Sequence, residues 1–306
     1  MRLGLLGDTH LDEPWILLAL QKFQDAGLTS IVQVGDLGVW PGPEATEIWN
    51  RVDAVLAGNG QTMYVAPGNH EDYDQIERLV PNEEGWLPFR DRILLAPRGH
   101  RSAFDGVDFV WLGGAASVDR ANRLSDPRDR GFKPSRNKSW WEQEEISDED
   151  IARTIAGGHA DVMVSHEAPV GVEYLDRANA DLVGYAKKDL EYAREVRARF
   201  TRAFVGVSPQ LLLHGHYHFK VDEMWGASWH DFSTHVVGLA CNDTNFAMGE
   251  LDTATLEVTL WDMMDDLLEY RHVRGDARAA AAAALRDLRR GERGHSDETE
   301  SPGATP

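Results

Sequence analysis

The sequence predicts a layered α/β fold, and three observations support this prediction. Short apolar runs that are typical of buried strands recur along the chain. Each run ends in a turn that contains polar residues or glycine. Helix-like segments separate several of the runs, and strands that alternate with helices usually form sheets covered by helices.

The elements follow one another in a regular order. The strand-like runs are RLGLLGDTH, SIVQVGDLG, MYVAPGNHE, DFVWLGGAAS, DVMVSHEAP and LLLHGHYH. Helical periodicity and end signals predict helices over residues 13–26, 43–58 and 189–200. Three later runs, STHVVGLACN, FAMGELD and TLEVTLWDM, lack helical spacers, so we expect consecutive antiparallel strands in a second sheet.

Two polar regions lie outside this alternation. Residues 117–150 are rich in charge and contain paired tryptophans, which predicts a long insertion or lid near one sheet edge. An Ala-rich stretch predicts a C-terminal helix over residues 272–290. Residues 291–306 offer almost nothing to bury and predict a disordered tail. The main domain is therefore expected to span residues 1–271.

The formal net charge of -20 restricts the class of partner. From residue 272 onward six arginines balance six acidic residues, so the excess charge lies in residues 1–271. Such a surface repels a long phosphate backbone, which disfavours extended nucleic-acid binding. A small phosphate ester remains compatible with it, because bound metal ions reverse the charge locally.

Cysteine usage and hydropathy bear on the compartment. The single cysteine, Cys241, excludes an intramolecular disulfide framework and fits a reducing environment. The first residues are typical of a strand and not of a secretion signal. No segment of the sequence suggests a membrane protein. We expect a cytoplasmic location.

The stretch QLLLHGHYHFKV places His214, His216 and His218 directly after an apolar run. One isolated histidine is more often a hydrogen-bonded core residue. Three within five residues favour a ligand site, because each buried neutral imidazole needs a partner and a metal supplies one.

Other potential ligands also follow strand-like runs. Because the carboxyl ends of strands in a layered α/β fold meet at one edge, we expect these residues to converge. Oxygen and imidazole donors without thiolate suit divalent ions such as Mn, Fe, Zn or Mg. The candidates exceed the ligands of one tetrahedral ion, and two ions that share a carboxylate would use them: Asp8, His10, Asp36, Asn69, His166, His216 and His218.

The motifs GDTH, VGD, GNHE, SHEAP and HGHYH resemble, in this order, those of the calcineurin-like metallophosphoesterases, particularly bacterial or phage-type members. The resemblance spans about residues 3–218. It is specific because five motifs recur in order, whereas one alone would carry little weight. It implies a four-layer sandwich of two mixed β-sheets flanked by helices, and a two-metal centre that hydrolyses phosphate esters.

The resemblance also implies an assignment of ligands. The first ion would be held by Asp8, His10, Asp36 and His218. Asp36 would bridge to a second ion held by Asn69, His166 and His216. The ions would be manganese, with Fe, Zn, Ni and Mg as alternatives, because such sites accept several metals.

The same resemblance gives His70 a catalytic role without a metal. A metal-bridging hydroxide would attack phosphorus in line, with Asp36 as the bridge and His70 assisting the leaving group. Glu71 would orient His70. His214 matches no ligand position and is expected near the site or in the core. Glycines such as Gly68 and Gly215 would let the ligand loops approach closely.

Departures from sister families narrow the choice of activity, and we favour a phosphomonoesterase. GDLGVW lacks the metal-binding tyrosine of purple acid phosphatases and the arginine-containing extension of serine/threonine protein phosphatases. The acidic main domain lacks the basic path expected of a repair nuclease. Two alternatives stay open: a phosphodiesterase or nuclease acting on cyclic nucleotides or nucleic-acid ends, and a non-catalytic metal-binding scaffold.

The insertion supplies candidates for substrate binding. In GGAASVDRANR, an arginine directed to the same edge would grip a phosphate oxygen bidentately. Asp119 and Arg123 are therefore candidate substrate-binding residues, and the predicted ligand Asn69 is a third candidate. The alternative for this segment is a solvated loop with surface ion pairs. Trp140 and Trp141 would either stack on a nucleobase or anchor the insertion to the core.

Overall fold

The computed structural model describes residues 1–124, 139–180, 182–226, 231–272 and 274–275. The chain divides into two units, Met1–Asp262 and Met263–Pro306. In the second unit, residues 264–272 are helical. Most of the predicted helix at 272–290 and all of the predicted tail at 291–306 lie outside the described residues. None of the helices in the described ranges has the length and apolar character needed to cross a membrane.

The first unit contains thirteen strands and seven α-helices among its described residues. The strands are β1 Arg2–Leu6, β2 Ser30–Gln33, β3 Thr62–Val65, β4 Leu87–Arg90, β5 Ile93–Leu95, β6 His100–Phe104, β7 Val107–Leu112, β8 Val162–Ser165, β9 Leu211–His214, β10 Val221–Trp225, β11 Thr234–Gly238, β12 Met248–Asp252 and β13 Glu257–Leu260. The helices are α1 Glu13–Asp25, α2 Pro43–Asn59, α3 Tyr73–Ile76, α4 Arg120–Leu124, α5 Asp148–Ala156, α6 Glu173–Ala180 and α7 Lys187–Val207, with a short 3-10 helix at Glu142–Glu144.

The strands form two mixed sheets. The first has the order β13-β12-β1-β2-β3-β5-β4 and the second the order β10-β11-β9-β8-β7-β6. Four neighbouring strands are parallel in each sheet, β1, β2, β3 and β5 in the first and β7, β8, β9 and β11 in the second. Antiparallel strands complete both edges. The expected α/β architecture of two mixed sheets flanked by helices is confirmed.

Alternate side chains of the central strands build different layers. Leu211 and Leu213 of β9 belong to the core between the sheets, together with Leu5 of β1. Leu212, between them, packs on the outer side with Phe200 of α7. A strand buried on both faces explains why this run is continuously apolar.

The prediction of three consecutive antiparallel strands at the end of the unit is wrong in part. β12 and β13 do pair antiparallel, but they join the first sheet beside β1. β11 belongs to the second sheet and runs parallel to β9. Short connections are typical of antiparallel neighbours, but between β11 and β12 the chain instead crosses from one sheet to the other.

Helix α7 extends further than the predicted range of residues 189–200. Ala203, Phe204 and Val207 continue its buried face up to the helix end. The segment TRAFVGV is rich in β-branched residues and glycine, which lower helix propensity, and tertiary burial overrides this local preference.

The predicted insertion is described in part. Residues 125–138 lie outside the described residues, whereas α4, the 3-10 helix and the start of α5 belong to the described portion. Trp141 is buried, and Arg120 lies over the Trp140 ring, 4.9 Å from its centroid. The burial of Trp141 favours an anchoring role for this tryptophan, whereas the Trp140 contact lies within the insertion.

We expect Phe109→Ala to lower the free energy of unfolding by about 3–5 kcal/mol, because Phe109 is fully buried between the sheets. Urea unfolding of the metal-free protein measures the loss. Val80→Ala is the control: Val80 is 78% exposed, and its replacement should change the free energy by no more than about 0.5 kcal/mol. Equal losses in both variants would contradict a shared core between the sheets.

Candidate metal centre

The candidate ligands converge from both sheets. Asp8 and His10 follow β1, Asp36 follows β2, and Asn69 follows β3, all in the first sheet. His166 follows β8, and His216 and His218 follow β9 in the second sheet. Because the central strands of each sheet are parallel, their carboxyl ends bring residues of distant sequence to one place.

Four of these residues form a compact group that could hold a metal ion. The potential ligand atoms of Asp8, His10, Asp36 and His218 all lie within 4.8 Å of one another. His10 Nε2 is 3.4 Å from Asp36 Oδ2, and His218 Nε2 is 3.2 Å from Asp8 Oδ2. Both carboxylates are buried, whereas 46% of the His218 side chain is exposed.

A second set of donors lies on the other side of Asp36. His166 Nε2 is 3.3 Å from Asp36 Oδ1 and 3.0 Å from Asn69 Oδ1. The His216 ring centroid is 5.0 Å from that of His166. The two oxygens of Asp36 thus face different imidazoles, Oδ1 towards His166 and Oδ2 towards His10.

The charges and donor types of this cluster fit divalent cations. Asp8 and Asp36 are buried, and within the described residues their ion-pair partners are imidazoles, not lysine or arginine. Burial opposes protonation of His166, but the charges of Asp36 and Asp8 outweigh it and raise its pKa to about 10. Carboxylate, imidazole and amide donors suit Mn, Fe, Zn or Mg. Bound cations would neutralise the charge that otherwise favours protonated imidazoles.

The ligand loops have unusual backbone conformations. His10, Asp36, His216 and His218 have φ values of 47°, 49°, 71° and 64°. Non-glycine residues seldom adopt positive φ, and such outliers cluster at functional sites. The adjoining strands and hydrogen bonds hold these residues in place; for example, the Asp36 carbonyl accepts from the backbone N–H of Thr9 and of His10.

Two glycines allow the loops to approach each other. A Cβ at Gly68 would lie 2.2 Å from Asp36 Oδ1, and one at Gly215 would lie 2.2 Å from Asp8 Oδ1. Neither distance is sterically tolerable. The absence of side chains at these positions therefore leaves room for the carboxylates, as the sequence predicts.

Residues around the cluster orient the imidazoles. His166 Nδ1 is 2.8 Å from the carbonyl oxygen of Val34, which leaves Nε2 directed to the cluster. His10 Nδ1 is 3.1 Å from Asn242 Oδ1, and Asn242 in turn donates to Asp12. Such contacts fix the tautomer of a ligating histidine.

The sequence motifs do not identify Asn242 as a residue of the site, although its position after a strand-like run could have indicated it. It is the polar residue that follows the run STHVVGLAC, and the other candidates are likewise polar residues that follow strands. The same signal marks Ser117, which follows β7 and accepts a hydrogen bond from Asn69.

The structure corrects the expected role of Glu71. Its carboxylate accepts backbone N–H groups of Leu37, Gly38 and Val39, at distances of 2.7, 3.1 and 2.7 Å. Burial together with the charge of Asp36 raises its pKa to about 6, whereas these backbone donors favour the ionised form. Glu71 therefore holds the loop that carries Asp36 and does not orient the His70 ring.

His70 lies beside Asp36, and 32% of its side chain is exposed. Its backbone N–H donates to Asp36 Oδ1, and its carbonyl accepts from the Trp40 indole. His214, by contrast, is buried, its Nδ1 is 3.0 Å from the Gly215 carbonyl oxygen, and burial lowers its pKa to about 4. His214 is a core residue, as expected.

The two charged candidates from the insertion lie next to His70. Arg123 Nη2 is 2.6 Å from His70 Nε2, and Arg123 Nε is 2.8 Å from Asp119 Oδ1. A cavity of about 330 Å³ opens here and extends to Tyr185 and Phe219. Its lining also includes Asp36, Asn69, His70, Asp119, Arg123, His216 and His218.

Comparisons with known proteins identify a family. The model of the calcineurin-like phosphoesterase family matches residues 1–220. The comparison with curated proteins finds no match.

Several solved structures are similar in fold at low sequence identity. A Thermus thermophilus protein is 12% identical, with 86% of this chain and 99% of that chain covered and a TM-score of 0.49. An archaeal phosphodiesterase is also 12% identical with the same coverage and a TM-score of 0.37. A dimetal phosphatase from Danio rerio is 10% identical, with 82% and 91% covered and a TM-score of 0.39.

We expect Gly68→Ala to weaken manganese binding by about tenfold or more, because the new methyl group would displace the Asp36 carboxylate. Isothermal titration of the metal-free protein measures this. Gly58→Ala is a matched control, since a Cβ at Gly58 in helix α2 meets no atom within 4 Å. Unchanged binding in Gly68→Ala would contradict the close approach of the Gly68 loop to a metal ligand.

Proposed function

The chain belongs to the calcineurin-like phosphoesterase family, and on that premise we propose that it hydrolyses phosphate monoesters at a centre of two divalent cations. The family makes the chain a metal-dependent phosphoesterase. The choice of monoesters, the identity of the cation and the roles of single residues are our proposal. The observation that carries it is the position of Asp36, with one oxygen facing His166 and the other facing His10.

We assign the two donor sets to two cations that share Asp36. Asp8, His10 and His218 would hold the first, and Asn69, His166 and His216 would hold the second. We expect manganese, with Fe, Zn, Ni and Mg as alternatives, since donors of this type accept several metals. When bound, such cations neutralise phosphoryl oxygens and supply an activated water molecule.

His70 would act on the leaving group. Burial, together with the nearby Arg123 charge, lowers its pKa, which favours the neutral ring. A neutral imidazole retains one N–H that can donate to the departing oxygen. The partial exposure of His70 at the cavity leaves that oxygen room to approach.

Arg123 and Asp119 would help to bind and position the substrate. The ion pair between Asp119 and Arg123 lies next to His70 and holds the Arg123 guanidinium at the cavity wall. A guanidinium in this place can donate to a phosphoryl oxygen. Asn69, which also lines the cavity, would contribute through the second cation.

Two features favour a small monoester as substrate. The cavity of about 330 Å³ is at the small end of ligand pockets, which suits a phosphoryl group with one organic substituent. The net charge of -20 disfavours an extended nucleic acid. The free Cys241 supports a reducing, cytoplasmic location as part of the proposal.

Removal and return of metal test the reaction. Treatment with a chelator should abolish hydrolysis, and Mn²⁺ should restore it, with a chromogenic phosphate monoester hydrolysed faster than the matching diester. A preference for the diester would replace the monoesterase assignment by a phosphodiesterase. Metal binding without turnover of either ester would favour a binding or scaffold role.

Two substitutions should separate metal binding from assistance of the leaving group. Asp36→Ala should remove both bound metal and activity, because it deletes the shared ligand. His70→Ala should keep the metal and lower kcat by about 10²–10⁴-fold, because it deletes the imidazole N–H that assists the leaving oxygen. Metal content by elemental analysis and steady-state kinetics report the two effects. Full activity of Asp36→Ala would refute the site assignment.

A further inference from the structure

We infer that Ser117 and Glu144 are positioning residues that orient the Asn69 amide, so that its oxygen and not its nitrogen faces the second cation. This inference rests on the proposed two-cation function and extends it to residues of the insertion. An asparagine side chain can present either end, because its oxygen and nitrogen are nearly equal in size. Only the oxygen can bind a cation.

Asn69 contacts a different group at each end of its amide. Its Nδ2 donates to Ser117 Oγ at 3.0 Å, and its Oδ1 is 3.0 Å from His166 Nε2. Both Asn69 and Ser117 are nearly fully buried, at 2% exposure each. This burial limits competition from water for these contacts, so the hydroxyl determines which end of the amide turns away from the metal centre.

A serine hydroxyl can donate or accept, so Ser117 needs a partner that fixes its direction. That partner is Glu144, whose side chain is fully buried. Ser117 donates its hydroxyl hydrogen to Glu144 Oε2 at 2.6 Å, and its backbone N–H donates to Oε1 at 2.8 Å. Because Ser117 donates its only hydroxyl hydrogen to the carboxylate, its Oγ can only accept a hydrogen bond from Asn69.

The carboxylate itself is held as an acceptor. The Tyr192 hydroxyl donates to Glu144 Oε1 at 3.1 Å, which gives the carboxylate three donors from two residues. Burial raises the pKa of Glu144, whereas these donors lower it and favour the ionised form, which accepts only. The direction of every hydrogen bond from Glu144 to Asn69 is thereby fixed.

The backbone around Glu144 is held by a second charged residue. Arg98, which follows β5, donates to the carbonyl oxygens of Gln143, Glu144 and Glu145 at 2.5, 3.2 and 2.8 Å. The short 3-10 helix is therefore anchored to the connection between β5 and β6, although it belongs to the insertion. The insertion thus supplies a fixed carboxylate that holds Ser117, in addition to any contact with substrate.

Titration of the metal-free protein with Mn²⁺ tests this inference. The parent should bind two ions. Ser117→Ala deletes the acceptor for Asn69, and Glu144→Gln introduces an amide that can donate to Ser117 and so reverse the hydroxyl. In both variants the affinity for one of the two ions should fall about 10–100-fold, the usual effect of losing a group that orients a ligand. The affinity for the other ion should stay at the parental value.

Gln143→Ala is the matched control. It removes an exposed side-chain contact with Glu77 from the same 3-10 helix and leaves the Glu144, Ser117 and Asn69 contacts intact, so both ions should bind as in the parent. Melting temperatures of the metal-free proteins report whether each variant folds, and two independent variants protect the test against misfolding of one.

The contrary outcomes are distinct. Parental affinity for both ions in Ser117→Ala and Glu144→Gln would overturn the inference and leave the proposed function standing. An equal loss in Gln143→Ala would also overturn it, because the effect would then be general loosening of the insertion. A parent that binds none of the divalent cations Mn, Fe, Zn, Ni and Mg would overturn the inference and the proposed function together.

Discussion

The burial of two carboxylates at the meeting point of two sheets is the constraint on which the rest of the structure depends. Asp8 and Asp36 are removed from solvent, and the groups that face them are imidazoles. Uncompensated buried charge is very costly, so it must be neutralised by protons or by metal cations. The glycines, the strained loops and the hydrogen bonds around the ligands all serve to keep the opposing groups at the required distance.

The support for the ligands comes from many parts of the chain. Glu71 holds the Asp36 loop through three backbone N–H groups, Asn242 holds His10, and Ser117 holds Asn69. Each contact joins segments that are far apart in sequence. The site can therefore form only when both sheets have formed, which ties metal binding to the folding of the whole first unit.

The sequence predicted the parts of the fold and of the site that follow from local order. Each motif residue lies after a strand, so convergence at the carboxyl ends follows from the order of elements along the chain. The sheets that β11 and β12 join do not follow from the order of elements, because only non-local pairing decides which sheet a strand joins. The role of Glu71 was likewise hidden, since its acceptor geometry depends on a loop more than thirty residues away. Glu144 lies in an irregular polar segment, where no periodicity marks a buried carboxylate.

The positive φ values of the ligand loops affect how the protein responds to mutation. A left-handed conformation costs a non-glycine residue about 1–2 kcal/mol, and His10, Asp36, His216 and His218 all adopt it. Glycine would relieve that cost at each position while deleting a candidate metal ligand. Stability and function therefore oppose each other here. A library of metal-free variants selected only for heat resistance would therefore be enriched in glycine at these four positions, at the expense of the candidate ligands.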